Sequence, residues 1–480
     1  MKNNRLSILL GCIVTLCVML MFPRFSYNDP DTFWHIELGR YMIDHGTVLH
    51  HAIHTFYNDR LPYVPHEFGF QLVIAALYRS FGLPGTYILT AVCLFLLILG
   101  LDRLTRVSRK ELGLEERRPI LLLLVMAVSC WIYYSYFTTR PQMVSSWMIV
   151  WFVVCLREFQ ISSQRKYAVW MTVLSLAISN FHAGVWLVPA VFTGMAVLES
   201  LTEKRLSPRR AAAYFAIWLA GLLNPGGIRS IFYILTVTKG NFNMLINEWQ
   251  PIEFSKLSNF PILLIVLFFA AILPFALHRK PFRFMFMLGI LYLGISSYKQ
   301  NLFLWLFIPY FVATLVERVP WIRNLRIRFE RRHLLLSLAA GLIFNVGYNF
   351  TFPAQVDTHQ YPVEEMNYIL RKTPPGMRPK VLAPYGSSGY VMYRGANVLC
   401  DGRQDPFVTT ESKGALGWTA FERSMYGFSE YLPEIVAYDK PDYVIARNNV
   451  SYKLMQEWSK QFGAPVFKGR YGSVFVIRKS

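Results

Sequence analysis

Carboxylates just beyond an apolar segment are the groups in this chain best suited to acid–base chemistry. The stretch Asn28-Asp29-Pro30-Asp31-Thr32-Phe33-Trp34-His35-Ile36-Glu37 follows closely on the apolar run Leu6 to Phe22. A partly desolvated carboxylate there can take a proton from a hydroxyl nucleophile. Two plainer roles stand beside that one: Asp31 as the N-cap of the next helix, and Asp29 as a solvated loop residue. Asp31 and His35 are four apart, share a helix face and form a candidate acid–base pair. His35 and Glu37 cannot share a face. His50, His51 and His54, with His66 and Glu67, have the residue types of a metal cluster. A Pro-containing loop fixes no ligand geometry, so no metal is expected.

Cations form a second group. Arg140 lies in Thr138-Thr139-Arg140-Pro141-Gln142, and Lys299 in the turn Ser296-Ser297-Tyr298-Lys299-Gln300-Asn301. Either could bind phosphate; either could instead snorkel to lipid headgroups. Asn180 and His182, in Asn180-Phe181-His182, either line a cavity or bond helix to helix. Glu248, in Glu248-Trp249-Gln250-Pro251, is open in the same way. Tyr385-Gly386-Ser387-Ser388-Gly389-Tyr390 lacks a P-loop lysine and reads as a turn between strands. Asp401-Gly402-Arg403 reads as a turn or a domain contact.

The elements that must position these residues follow from composition. Of 480 residues, 54% are apolar, 16% aromatic and only 16% charged. A soluble domain carries about 25% charged residues. A soluble enzyme, a secreted disulfide scaffold and a disordered tail are excluded, and a polytopic membrane protein remains. Net charge is +20, from 49 Lys and Arg against 29 Asp and Glu. The basic residues cluster between apolar runs, which the positive-inside rule accounts for without nucleic acid as a partner. Five of the six cysteines sit in apolar runs. Cys400 lies in a polar region and has no obvious disulfide partner.

A spanning helix needs about 20 apolar residues. Candidate runs are Leu6 to Phe22 and 85–102, 119–137, 142–157, 167–182, 184–199, 211–224, 258–277, 283–298, 301–316 and 333–350, eleven in all. Phe68 to Phe81 is too short and reads as re-entrant or interfacial. If it does not cross, 24 Lys and Arg fall on the N-terminal side of the membrane and nine on the other side of the membrane region. If it crosses, the bias reverses. The expected topology has the N-terminus inside and the C-terminus outside, with outer loops at 23–84 and 225–257. Residues 1–351 are the expected membrane module and 352–480 an extracytoplasmic α/β domain. That domain should have strands at 380–384, 390–393, 396–400, 443–446, 465–467 and 473–478, the last two forming a hairpin. Helices are expected at 362–372 and 450–461.

This layout resembles the GT-C class of integral membrane glycosyltransferases, which includes protein O-mannosyltransferases and aminoarabinose transferases. The likeness lies in the acidic first outer loop, the interfacial segments after it and the number of spans. It is closer still to a set of poorly characterised bacterial membrane proteins of glycosyltransferase-like type. Shared with these are Asp31 to Arg40, His66-Glu67, Arg140 to Gln142, Asn180 to His182, Leu223 to Gly227, Glu248-Trp249 and Asp401 to Arg403, in order along nearly the whole chain. The resemblance implies a multi-pass protein of the bacterial plasma membrane with a GT-C-like helical bundle. It implies inverting transfer of a sugar from a polyprenyl-phosphate donor to a hydroxyl acceptor on a glycan, lipid or protein. Asp31 would be the first candidate for the base and Asp29 the second. Arg140 and Lys299 would stabilise the leaving phosphate. One departure concerns the acids, which are usually adjacent in the aminoarabinose and mannosyl enzymes and are separated here by Pro30. No metal or other cofactor is implied. The rival reading is a non-catalytic transporter of lipid or polysaccharide, or an assembly partner of an envelope glycan pathway. It predicts ionisable residues along a path through the spans, and almost none are found there.

Overall fold

The computed structural model describes residues 27–57, 60–114, 118–119, 138–238, 246–277, 280–315, 326–327 and 331–477, with isolated positions between 5 and 16. The chain divides into two compact units, one of Met1–Pro23 with Tyr87–Phe352 and one of Arg24–Thr86 with Pro353–Ser480. The first outer loop, which the sequence reading placed in the membrane module, therefore groups with the C-terminal segment.

Helices α1 (Asp31–His45) and α2 (Phe68–Phe81) belong to the second unit. Then come α3 (Gly85–Glu111), α4 (Pro141–Ser162), α5 (Arg165–Phe181), α6 (Leu187–Thr202), α7 (Pro208–Gly221) and α8 (Ile228–Thr238). After these follow α9 (Phe260–Leu277), α10 (Pro281–Ser296), α11 (Leu302–Leu315) and α12 (Arg331–Thr351). Proline occupies the first position of α4, α7 and α10, where no amide donor is needed. Among the described residues, four helical stretches are long and apolar enough to cross a membrane: Gly85–Glu111, Pro141–Ser162, Ala183–Thr202 and Arg332–Thr351. Several of the other expected spans are shorter helices, such as the 14-residue α7. At about 1.5 Å per residue such a helix falls short of the hydrocarbon core. The expected spans at 6–22, apart from isolated positions, and at 119–137 lie outside the described residues.

Inside the first unit, aromatic rings fill the helix contacts. Phe286 meets Phe192 at 4.8 Å and Phe307 at 4.9 Å, both edge-on, a favoured ring geometry. A buried charge network ties the helix ends. Arg157 on α4 bonds Glu111 on α3 and, at 2.6 Å, Glu199 on α6. Arg283 on α10 reaches Glu111 at 2.9 Å, and the Tyr310 hydroxyl on α11 donates to the same carboxylate at 2.5 Å. Glu158 accepts from Arg103 and Lys110. Breaking one partner of such a set strands a buried charge.

The second unit is α/β. Helices α13 (Val363–Lys372), α14 (Tyr385–Tyr393), α15 (Ala420–Tyr426), α16 (Leu432–Asp439) and α17 (Tyr452–Phe462) accompany five strands. These are β1 (Lys380–Leu382), β2 (Asn397–Val398), β3 (Tyr443–Arg447), β4 (Phe467–Lys468) and β5 (Gly472–Val476). The sheet order is β2-β1-β3-β5-β4. The first three strands are parallel, and β5 and β4 close the sheet as an antiparallel hairpin. The segment 54–56 continues the sheet beyond β2: the Val398 amide donates to the His54 carbonyl and the Phe56 amide to the Val398 carbonyl, both at 3.0 Å. The expected strand at 390–393 is instead the end of α14. Its apolar run is too short to separate helix from strand by pattern. Its small Gly389 lets the helix pack against α1, where a Cβ would lie 2.8 Å from the Pro30 carbonyl oxygen.

Helix α1 is enclosed, with nine of its fifteen residues buried. It meets α2 at Gly39, where a Cβ would lie 2.0 Å from the Gln71 carbonyl oxygen and 2.6 Å from Ala75 Cβ. Backbone cannot yield as a flexible side chain can. Gly39→Ala should therefore destabilise the second unit by about 2 kcal/mol or more, visible as a lowered Tm of the purified protein. An unchanged Tm would mean that the crossing is not close.

Candidate functional site

The acidic motif begins α1. Pro30 holds the N-cap position at φ −65° and offers no side-chain cap. Asp29 supplies that bond, accepting the Asp31 amide through Oδ1 at 3.0 Å. Of the two roles open for Asp31, capping therefore passes to Asp29. The Asp31 carboxylate accepts from the Trp34 indole at 2.9 Å. The 401–403 loop passes directly over it, since a Cβ on Gly402 would lie 2.2 Å from Asp31 Oδ1.

That loop is fixed by a fully buried pair. Arg403 donates from Nε to Asp401 Oδ1 at 2.8 Å and from Nη2 to Asp401 Oδ2 at 2.5 Å and the Ile53 carbonyl at 2.9 Å. The Asp401-Gly402-Arg403 motif is thus a contact within this unit, joining strand end to the segment around Ile53. Asp405 follows, accepting the Val64 amide at 3.1 Å. Burial raises its pKa well above the usual carboxylate value and outweighs the Val64 amide and the Arg403 charge. Burial, then the neighbouring Cys400 and Asp31, likewise push Tyr385 well up.

The remaining first-loop candidates fall into two groups. His35 Nε2 lies 3.9 Å and His66 Nε2 3.7 Å from the same Glu67 oxygen, Oε2. The His35 ring is buried between Trp34, at 3.6 Å between centroids, and the edge of Phe70. His66 is oriented through Nδ1, 2.7 Å from the Val64 carbonyl. Glu37 faces another set: Arg378 at 2.9 Å, Arg40 at 3.3 Å and His54 Nε2 at 3.5 Å. Arg378 also donates to the Met392 and Ala396 carbonyls. Among the described residues no group of three His, Cys, Asp or Glu side chains could hold a metal ion.

In the other unit, three sequence-distant motifs meet. Glu248 receives Arg140 Nη1 at 2.6 Å on Oε1 and faces Lys299 Nζ at 3.8 Å through Oε2. The Lys299 amide donates to the Glu248 carbonyl at 2.8 Å, and Gln142 Nε2 to the Lys299 carbonyl at 3.5 Å. Lys299 also lies 4.7 Å from the Trp249 ring centre. Burial raises the Glu248 pKa, but Lys299 and Arg140 outweigh it and hold it at about 2. The Glu248 side chain keeps 41% of its surface exposed, so solvent screens the cluster. His182 Nδ1 sits 2.9 Å from Ser145 Oγ. Asn180 donates to the Leu176 and Leu223 carbonyls at 2.7 and 2.8 Å, tying the end of α5 to the turn after α7.

Sequence reasoning missed Arg378, Asp405 and the buried charges of the first unit. The only available signal for the last was Glu111, Glu158 and Glu199, acids among basic loop residues at helix ends.

No family profile matches the chain, and no curated protein matches it. Solved structures do. ArnT from Cupriavidus metallidurans bound to undecaprenyl phosphate aligns with a TM-score of 0.52 and 13% identity, covering 98% of each chain. The apo state of the same protein gives 0.52 and 13%, covering 98% of this chain and 97% of that one. The chain has the ArnT fold. The GT-C resemblance read from the motifs is thus matched at the level of architecture, and the apolar helices and this fold make it a membrane protein.

His54 generates a pH prediction. Burial, then Arg378, Arg403 and His45, lowers its pKa to about 3. The unfolded imidazole binds its proton near pH 6.5 and the folded one does not. Stability is therefore complete above about pH 6.5 and falls as pH drops towards 3. Between pH 7 and 5 the loss should be about 2 kcal/mol. His54→Gln should flatten this slope in Tm against pH; an unaltered slope would assign it to other groups.

Proposed function

We propose that the protein is a GT-C-type glycosyltransferase that moves a sugar from a polyprenyl-phosphate-linked donor to a hydroxyl acceptor at the outer face of a bacterial plasma membrane. The observation that carries this reading is an ArnT-like fold over 98% of the chain with the Asp29-Pro30-Asp31 motif at the start of the helix Asp31–His45. The bound undecaprenyl phosphate of the ArnT structure supports a lipid phosphate as partner. The loop-charge bias supports an N-terminus inside and a C-terminus outside.

In this reading the acceptor oxygen attacks the anomeric carbon as its proton passes to the Asp31 carboxylate. The bond from anomeric carbon to phosphate oxygen breaks, and the lipid phosphate leaves with the electron pair. Attack opposite the leaving group inverts the anomeric centre. Asp29 is the second candidate for the base, His35 a further catalytic candidate, and His66 and Glu67 candidates for binding substrate. Separately from that step, the resemblance gives Arg140 and Lys299, in the other unit, as candidates to bind phosphate. Glu248 already orients both, and Asn180 and His182 shape the neighbouring turn. No metal or cofactor enters this scheme.

The rival reading, a transporter or assembly partner, draws on ionisable groups buried among helices. Those groups, Glu111, Arg157, Glu199 and Arg283, bond to one another, as a structural clasp does.

The test is sugar transfer by protein in lipid, with a panel of labelled polyprenyl-phosphate sugars. Asp31→Asn should lose turnover by a factor of at least 100, within the range for general base catalysis, and still bind donor. Asp29→Asn should keep measurable turnover at lowered Tm. Arg140→Gln should weaken donor binding instead. Donor binding absent across the panel in folded wild type would turn the assignment to the non-catalytic alternative.

A further inference from the structure

In the second unit an open cleft of about 400 Å³ is lined by Pro384, Tyr385, Ser424, Phe428, Arg447 and Asn449, and also by Ser451 and Leu454. That volume falls in the range of small-molecule sites, about 300–1,000 Å³. Its place in the topology is informative. Strands β1 and β3 are parallel neighbours. The chain leaves β1 towards β2 on one side of the sheet and leaves β3 towards β4 and β5 on the other. Their carboxyl ends therefore flank a topological switch point, where crevices of α/β sheets take ligands. Pro384 and Tyr385 follow β1, and Arg447 ends β3.

The lining has one electrostatic sign. Tyr385 opens α14, and Ser451 caps the eleven-residue α17, accepting the Leu454 amide. Two helix amino ends thus border the cleft, and each favours an anion. Arg447 supplies a full charge, with its guanidinium 5.6 Å from the Tyr471 ring centre. Asn449 adds an amide. Among the described lining residues none is acidic. Ser424 Oγ, on a residue only 2% exposed, is buried without a hydrogen-bond partner. Phe428, Met425, Leu454 and the Tyr385 ring give an apolar wall of the kind a sugar ring's C–H face packs against.

We propose that this cleft binds a saccharide unit carrying an oxyanion, either the carboxylate of a hexuronic acid or a sugar phosphate. Its use as an acceptor subsite rests on the transferase reading; the binding does not. Arg447 pairs with the oxyanion, Asn449 bonds a ring hydroxyl, and the aromatic wall covers the ring.

Saturation-transfer NMR on full-length protein in nanodiscs, with glucuronate, glucose 6-phosphate and glucose, tests this. One or both anions should bind at least tenfold more tightly than glucose and weaken as salt rises. The tighter anion identifies the group recognised. Arg447→Gln should lose at least tenfold for the anions alone. Asn449→Asp, nearly isosteric, should do the same by placing a negative charge in the cleft. Binding is read without transfer, so its result stands whether or not the transferase reading holds. Equal binding of glucose and the anions, no binding by wild type, or unaltered binding in both cleft variants would overturn the proposal.

Discussion

The candidate chemistry of this chain depends on the enclosure of one short helix. Residues 31–45 carry the acidic motif at their start, and helix, sheet and loop close around them. Closure demands backbone approach that no side chain permits at two places: Gly39 against the Gln71 carbonyl, and Gly402 against Asp31. An enclosed helix gives its first carboxylate a fixed direction. A carboxylate on a mobile loop would lose that advantage, because positioning supplies much of the effect of a general base. The buried Arg403–Asp401 pair matters for the same reason. It contributes little net stability by itself, but it holds the loop that lies over Asp31.

The first unit meets a different constraint. Helices in a membrane gain little from hydrophobic association, so packing and polar contacts must fix their arrangement. Here aromatic rings interlock in the interior while Glu111, Glu158 and Glu199 collect cations from several helices at their ends. Basic residues counted from sequence as topology signals have a second task as partners of these acids. Charge counting alone cannot separate the tasks, because it registers the sign of a loop and not which residue turns inward.

Legibility from the sequence divided along the same line. Local features were readable: the helix at 68–81 has the bounds its apolar run suggested, and the terminal strands form a hairpin. The motif residues Arg140, Glu248 and Lys299 were each singled out, yet their meeting at one carboxylate is a matter of fold. The grouping of residues 24–86 with the C-terminal segment was hidden, because it rests on edge pairing of 54–56 with Val398 and on glycine contacts. Neither has a periodic signature. The helix at 385–393 was read as turn and strand because nine residues carry too little pattern to outweigh a Gly-Ser-Ser-Gly stretch.

The proline between the two acids can now be weighed. Adjacent acids would compete for one position at the helix start. With Pro30 between them, fixed near φ −65° and lacking an amide, Asp29 reaches forward to the Asp31 amide while Asp31 projects from the first helical residue towards Trp34 and the 401–403 loop. The two carboxylates therefore differ in environment. One is engaged in shaping the backbone, where its charge favours the helix amino end. The other is turned towards side chains and a loop held by buried ionic contacts. A proton acceptor must change its charge during a reaction without loosening the scaffold that aims it. Protonating Asp29 would weaken the bond that opens α1, whereas protonating Asp31 leaves that bond in place. On this ground the proposed transferase would use Asp31 rather than Asp29 as its base, and the departure from paired acids would be a division of labour between them.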